Sequence, residues 1–139
     1  MLRFLIADDD EVIHAYLRHV LLSLGDVHHA FSGQEALDIV SDSLDRAEPI
    51  SCVFMDVLMP GLSGLETLPR LKAMHSLHGF DIPKCVMVSC LTQAQCQMDG
   101  NAHCIADRYI HKPFDRRTVL NTLTALGFTP AASDEETTG

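Results

Sequence analysis

The chain has 139 residues, the length of one domain, and 47% of them are hydrophobic, which is enough to form a buried core. Its formal net charge of −9, with only 10 lysines and arginines, argues against direct nucleic-acid binding, which requires clustered positive charge. No apolar run is long enough to span a membrane, and five cysteines without a Cys-x-x-Cys motif indicate a reduced, cytoplasmic protein.

The first predicted strand, 2–7, ends at a run of acidic residues that begins with Asp8 and Asp9. Such a run is typical of a solvated turn or of a helix N-terminus, where acids complement the macrodipole. Alternatively, two adjacent carboxylates at a strand end supply the oxygen ligands that Mg²⁺ prefers. A first helix is predicted over 11–24 because its apolar residues recur at helical spacing, and Gly25 is expected to end it.

A second strand is predicted over 27–31, and a second helix begins at Ser32 or Gly33. Ser32 and Glu35 have the spacing of a capping box, in which each side chain bonds the backbone of the other residue.

Six of the eight histidines lie in three pairs close in sequence, and each pair is a candidate for shared metal ligation. The pairs are His14 with His19, His28 with His29, and His75 with His78. The spacing of the first two pairs places their side chains on different faces of a helix or strand, which argues against shared ligation. The third pair lies at a helix end and is interpreted as solvent-exposed.

The third strand, which starts at Cys52, ends on a single acid, Asp56, and a turn marked by Pro60, Gly61 and Gly64 follows. A carboxylate at the carboxyl end of a buried strand lies where open α/β sheets bind their ligands. Taken alone, Asp56 is also explained as a capping or turn-forming residue.

The fourth strand, 83–89, ends on Ser89, and the fifth, 107–111, is followed by Lys112. Taken alone, a hydroxyl at a strand end is usually a helix cap, and a lysine before a proline is usually a surface residue. Both side chains nevertheless follow strands in the same way as the acids described above.

Three helical segments follow the third, fourth and fifth strands. They are predicted over 65–77, near 93–98, and after the capping residue Asp115 as far as Gly127. The segment 93–98 has the weakest pattern. Residues 129–139 have no apolar period and are interpreted as a disordered tail or the start of a linker, which leaves one domain over 1–128.

Five strands that alternate with five helical segments predict a doubly wound parallel sheet. The carboxyl ends of parallel strands meet at one edge of the sheet, beside its switch point. The residues expected at that edge are Asp8, Asp9, Asp56, Ser89 and Lys112. Their convergence, rather than any one of them, predicts a functional site.

The sequence resembles the receiver domains of bacterial two-component response regulators, of the chemotaxis-regulator type. The matching stretches are Met55 to Gly61, Gly64, and Lys112-Pro113-Phe114, and the resemblance covers roughly residues 2–126. It implies a flavodoxin-like α/β fold with strand order 2-1-3-4-5 and five helices, and a cis bond before Pro113.

The resemblance also implies a chemistry. In this family the acid at the position of Asp56 accepts a phosphoryl group from a histidine kinase or a phosphotransfer domain, with Mg²⁺ as cofactor. Ser89 and Lys112 would hold the phosphoryl oxygens. The implied metal ligands are Asp9 directly, Asp8 through water, Asp56, and the backbone carbonyl of Leu58.

A conformational output is implied as well. After phosphorylation, Ser89 moves toward the phosphoryl group, the aromatic Tyr109 turns inward, and the face of the fourth helix, fifth strand and fifth helix changes. The implied partner is a downstream protein or output domain, and a phosphorylation-dependent dimer is compatible with it. Leu58 and Leu91 flank the expected path of a hydrolytic water, so we predict slow self-dephosphorylation and no other enzymatic activity.

Three alternative functions are compatible with parts of this pattern. A phosphatase of the haloacid-dehalogenase type requires a second acid two residues after the nucleophile, and Leu58 occupies that position. A protein-interaction module that never takes phosphate is a second alternative. The third is that the chain is the receiver fragment of a larger regulator or hybrid kinase.

Overall fold

The computed structural model describes residues 2–91 and 106–128. The strands are β1 Leu2–Ala7, β2 Gly25–Ala30, β3 Cys52–Asp56, β4 Lys84–Ser89 and β5 Arg108–His111. They form one parallel sheet in the order β2-β1-β3-β4-β5. This confirms the predicted flavodoxin-like order.

The described residues contain four helices, whereas five were expected. The helices are α1 Glu11–Leu21, α2 Gly33–Asp45, α3 Gly64–Leu77 and α4 Arg116–Ala125. The remaining predicted segment, 93–98, lies outside the described residues, as does the predicted tail 129–139. Among the described helices, none is long and apolar enough to cross a membrane.

The central strands bury side chains on both faces, as expected for parallel strands between two layers of helices. Leu5 belongs to the core cluster that includes α2 and α3, and its neighbours Phe4 and Ile6 belong to the cluster of α1 and α4. Each fully buried side chain of this size stabilises the fold by about 1.5–3 kcal/mol. The two cores cover both faces of the sheet and leave its carboxyl edge as the place for a site.

Each of the four helices begins with a side-chain cap close after the end of a strand. Asp10, Ser32, Ser63 and Asp115 accept a hydrogen bond from the first turn of α1, α2, α3 and α4, respectively. Such a cap is worth about 1 kcal/mol, and it fixes the position at which the helix starts.

A capping box was predicted at the start of α2, but the complete box occurs at the start of α3. Ser32 accepts from the Glu35 N–H, but Glu35 accepts from the N–H of Phe31. The complete box is formed by Ser63 and Glu66. The predicted start of α3 at Leu65 lies after Ser63, so this capping box was not predicted.

The predicted end of the first helix was wrong. α1 ends at Leu21, and Gly25 is the first residue of β2 rather than a helix stop. A Cβ atom on Gly25 would lie 2.2 Å from the carbonyl oxygen of Leu2, so this glycine permits the close approach of two strands.

The interpretation of His75 as exposed was also wrong, whereas His78 is exposed as expected. His75 is fully buried, its Nδ1 lies 3.0 Å from the Leu71 carbonyl, and its Nε2 accepts from the Ile50 N–H at 3.1 Å. Because Nε2 accepts, the ring is neutral with its hydrogen on Nδ1. Burial lowers the pKa of His75. The side chain therefore ties α3 to the segment that leads into β3.

Candidate functional site at the carboxyl edge of the sheet

The strand ends bring the predicted site residues to one edge. Asp8 directly follows β1, Asp56 ends β3, Ser89 ends β4, and Lys112 directly follows β5. Asp8, Asp56 and Ser89 are buried, although all three side chains are polar. Since buried polar groups are costly without partners, the geometry around them carries information about function.

Three carboxylates lie close together at this edge. One oxygen from each of Asp8, Asp9 and Asp56 lies within 4.8 Å of the others, and Asp9 is the exposed member of the group. Like charges at this separation repel one another, whereas a divalent cation would relieve the repulsion. Carboxylate oxygens are also the donor type that Mg²⁺ selects, so these residues fit the implied metal.

Lys112 reaches the same carboxylates. Its Nζ donates to Asp8 Oδ2 at 2.8 Å and to Asp56 Oδ2 at 3.4 Å. The Lys112–Pro113 peptide bond is cis, as the resemblance implied. Three carboxylates and one ammonium leave the cluster with a net negative charge, which again favours a cation.

The environment shifts the pKa of two of these groups. Burial, together with the negative charge of Asp8, raises the pKa of the Asp56 carboxyl to about 6, against the opposing effect of Lys112. Burial disfavours the Lys112 ammonium, but its hydrogen bond to Asp8 and the charge of Asp56 outweigh burial and raise the pKa of the amine. At neutral pH, Asp56 is thus ionised and Lys112 is charged.

The two neighbouring acids of β1 differ in how they are held. Asp8 Oδ1 accepts from the Asp10 N–H at 2.9 Å, and its Oδ2 is bound by Lys112. Between described residues, no hydrogen bond involves the Asp9 carboxylate. Asp9 therefore has both oxygens available for a ligand. The Asp56 carboxylate has a second partner, because the Leu58 N–H donates to its Oδ1 at 3.2 Å.

His14 and His29, which were not predicted to pair with each other, form a hydrogen-bonded chain to the backbone of Asp8. His14 Nε2 lies 2.7 Å from the backbone oxygen of Asp8, and His14 Nδ1 lies 2.8 Å from His29 Nδ1. Since the carbonyl only accepts, His14 carries its hydrogen on Nε2, and His29 donates to His14. The ring of His14 also stacks on Phe31, with centroids 4.0 Å apart.

A sequence signal for His14 existed. It lies three and seven residues before Leu17 and Leu21, on the buried face of α1. This spacing predicts a core position, and a buried histidine requires polar partners. The partner His29 could not be named from the sequence, because it lies on another element.

Leu91, two residues after β4, contacts both predicted switch residues, Ser89 and Tyr109. Ser89 Oγ accepts from the Leu91 N–H at 3.2 Å, and the Tyr109 hydroxyl donates to the Leu91 carbonyl. Tyr109 also packs against the core cluster on the side of α2 and α3. The aromatic ring is therefore turned toward the protein rather than toward solvent.

Comparison with known proteins decides the family. A family model described as the response regulator receiver domain matches residues 4–124. The chain belongs to this family. As a receiver domain it is similar to the response regulator MprA of Mycolicibacterium vanbaalenii, with 33% identity over 127 residues, which are 89% of this chain and 49% of MprA.

Other similar proteins agree. The transcriptional regulatory protein CpxR of Escherichia coli K12 is 30% identical over 129 residues, covering 91% of this chain and 49% of CpxR. The chain thus spans about half the length of these relatives.

Solved structures of similar fold include the chemotaxis protein CheY4 of Vibrio cholerae, with a TM-score of 0.73 and 28% identity, covering 90% of this chain and 98% of CheY4. The response regulator TrrA of Thermotoga maritima, solved in complex with Mg(2+)-BeF, has a TM-score of 0.70 and 24% identity, covering 91% of this chain and 99% of TrrA. At this lower identity, the likeness to TrrA shows the fold alone.

Proposed function

We propose that this receiver domain accepts a phosphoryl group on Asp56 from a phosphohistidine of a histidine kinase or a phosphotransfer domain. The observation that carries the proposal is one ionised, buried carboxylate at a strand end, with Lys112 Nζ 3.4 Å away and two further carboxylates beside it. A lone turn-forming acid needs none of these neighbours.

The residues divide the chemistry among them. An Asp56 oxygen attacks phosphorus, the bond from phosphorus to the donor nitrogen breaks, and an acyl phosphate forms. Phosphoryl transfer depends chiefly on positioning and on neutralisation of charge. Lys112 supplies a fixed positive charge for a phosphoryl oxygen. Ser89 Oγ already accepts from Leu91, so its own hydrogen is available for another oxygen.

The carboxylates of Asp8, Asp9 and Asp56 and the backbone carbonyl of Leu58 would hold Mg²⁺. When bound, the ion supplies positive charge that offsets the carboxylates and the phosphoryl oxygens. Of the two acids that follow β1, Asp9 would be the direct ligand and Asp8 would bind through water, because Asp8 is already engaged with Lys112 and Asp10.

The output of the domain is a change of conformation at Ser89 and Tyr109. A phosphoryl group that draws the Ser89 hydroxyl also shifts the loop that Tyr109 contacts. The partner is a downstream protein or an output domain, with a phosphorylation-dependent dimer as a further state, and the setting is cytoplasmic.

Hydrolysis of the acyl phosphate is slow in this proposal, and the domain has no other enzymatic activity. Leu58 and Leu91 cannot orient a water molecule by hydrogen bonding through their side chains, so the attacking water loses the advantage of proximity.

Intact mass after incubation with acetyl phosphate and Mg²⁺ tests the proposal. The parent chain gains one phosphate, and Asp56→Asn gains none. Asp26→Asn is the matched control, since Asp26 is an exposed carboxyl on β2, and it gains phosphate as the parent does. An Asp56→Asn variant that still gains a phosphate contradicts the assignment. A parent that gains none favours the phosphate-independent interaction module.

A further inference from the structure

Three consecutive backbone carbonyls, from the last residue of β4 and the two residues after it, are each bound by a residue of β5 or by Lys112, which follows β5. The Ser89 carbonyl accepts from the Lys112 N–H at 2.8 Å, and the Leu91 carbonyl accepts from Tyr109. Between them, the Cys90 carbonyl lies 3.0 Å from His111 Nε2. Because the carbonyl only accepts, the His111 ring donates from Nε2.

The side chains of Tyr109 and His111 share one face of β5, since they are two residues apart. His111 pairs with Ser89 in the register of β4 and β5, so both belong to that face. The phosphoryl chemistry proposed above uses Ser89 and Tyr109 but gives no role to His111.

One peptide unit links His111 to the Ser89 hydroxyl. The Cys90 carbonyl, which His111 binds, and the Leu91 N–H, which binds Ser89 Oγ, belong to the same peptide group. That group is planar, so its carbonyl and its N–H turn together. The His111 bond therefore also fixes the direction of the N–H that holds the serine oxygen.

We propose that His111 is a positioning residue, which orients the Ser89 hydroxyl through the peptide between Cys90 and Leu91. The inference rests on the proposed function, in which Ser89 binds a phosphoryl oxygen. With Ser89 Oγ held as an acceptor, the hydroxyl hydrogen points away from Leu91 and is ready for that oxygen. Preorganisation of this kind lowers the ordering cost of binding.

Removal of the histidine donor weakens the binding of a phosphoryl mimic and leaves the metal site unchanged. Since one net hydrogen bond is lost, we expect His111→Ala to bind beryllofluoride about 3- to 10-fold more weakly at saturating Mg²⁺. The affinity for Mg²⁺ alone stays at the parental value, because neither His111 nor the peptide between Cys90 and Leu91 belongs to the acidic cluster of Asp8, Asp9 and Asp56. A general loss of structure would instead lower both affinities.

The experiment titrates beryllofluoride, at saturating Mg²⁺, into the whole 139-residue chain and follows amide signals by NMR. His111→Gln retains a side-chain N–H donor and is expected to recover parental affinity. His111→Leu, a second variant without a donor, is expected to match His111→Ala. The matched control is His19→Ala, which removes an exposed histidine from α1 and leaves the affinity unchanged.

A double-mutant cycle with Ser89→Ala separates positioning from general stability. If His111 acts through the serine hydroxyl, adding His111→Ala to Ser89→Ala causes no further loss of beryllofluoride affinity. An equal loss in both backgrounds, or parental affinity of His111→Ala and His111→Leu, overturns the inference. Those outcomes leave the proposed function intact, whereas a parent that takes up no beryllofluoride contradicts both.

Discussion

At the scale of single residues, Asp56 is the residue at which function opposes stability. Its carboxyl is buried, and the pKa is raised to about 6, above the usual value of 3.8. A group whose folded pKa is raised in this way destabilises the fold when it is ionised in both states. Above pH 6 the ionised Asp56 lowers the free energy of unfolding. This loss disappears as the pH falls and the buried carboxyl takes up a proton.

Asp56→Asn is therefore expected to stabilise the metal-free chain. The gain reaches up to about 3 kcal/mol at pH 7.5 and falls to roughly half of that at pH 5, where folded Asp56 is largely protonated. Urea unfolding in the presence of a chelator at the two pH values measures the change. Asp26→Asn, at an exposed carboxyl, serves as the control. A gain for Asp56→Asn that stays constant between the two pH values would show that the carboxyl does not titrate as described.

Residues of the site could be predicted where position along the chain sufficed. Asp56 and Ser89 end their strands and Lys112 directly follows one, so the alternation of strands and helices located them at one edge of the sheet. His14 and His111 could not be assigned roles in this way. Each acts by a hydrogen bond to another element, 6 and 21 residues away, and the sequence carries no sign of that pairing.

At the scale of elements, apolar runs that alternate with amphipathic segments predicted a doubly wound parallel sheet. The order of its strands came from the resemblance to receiver domains. The boundary between α1 and β2 could not be predicted, because a glycine can either end a helix or permit two strands to approach closely. Gly25 serves the second purpose, and only the position of Leu2 on the neighbouring strand reveals it.

The contact of α3 with the segment before β3 depends on a neutral histidine. Burial lowers the pKa of His75, so the unfolded chain binds a proton at a higher pH than the folded chain does. Stability is therefore lost as the pH falls below the ordinary histidine value of about 6.5, by at most about 1.4 kcal/mol per pH unit.

We predict that His75→Gln, which does not titrate but can still accept from the Ile50 N–H, flattens the loss of stability between pH 7 and pH 5. Thermal unfolding of the parent and of the variant at both values measures the difference. His78→Gln is the control, because His78 lies three residues further along the chain and is exposed. The assignment is wrong if His75→Gln and the parent lose equal stability on acidification.

At the scale of the whole molecule, the acidic cluster exists only in the folded chain. Asp8 and Lys112 are 104 residues apart in sequence, and the sheet brings their side chains to 2.8 Å. The chain also carries a formal net charge of −9, which favours cations near its surface. A ligand that binds only this assembled edge must stabilise the entire fold by mass action.

Mg²⁺ is accordingly expected to raise the melting temperature of the parent. At ten times its dissociation constant, the ion adds about 1.4 kcal/mol, which corresponds to roughly 3 to 6 °C for a domain of this length. Asp9→Ala should lose this increase, because Asp9 is the exposed acid with both oxygens available. Its metal-free melting temperature should remain close to that of the parent, since between described residues no hydrogen bond to the carboxylate is lost.

Two further variants test whether Mg²⁺ acts by binding at the acidic cluster or through the net negative charge of the chain. Asp26→Ala removes one exposed carboxylate from β2 and should retain the full increase with Mg²⁺. Asp8→Ala should lower the melting temperature without metal, because it removes the nearer of the two carboxylates that Lys112 Nζ contacts and the acceptor of the Asp10 N–H. A response of Asp9→Ala equal to that of Asp26→Ala would mean that Mg²⁺ acts through bulk charge rather than through a site. If Asp8→Ala lost more of the metal response than Asp9→Ala, the direct ligand would be Asp8.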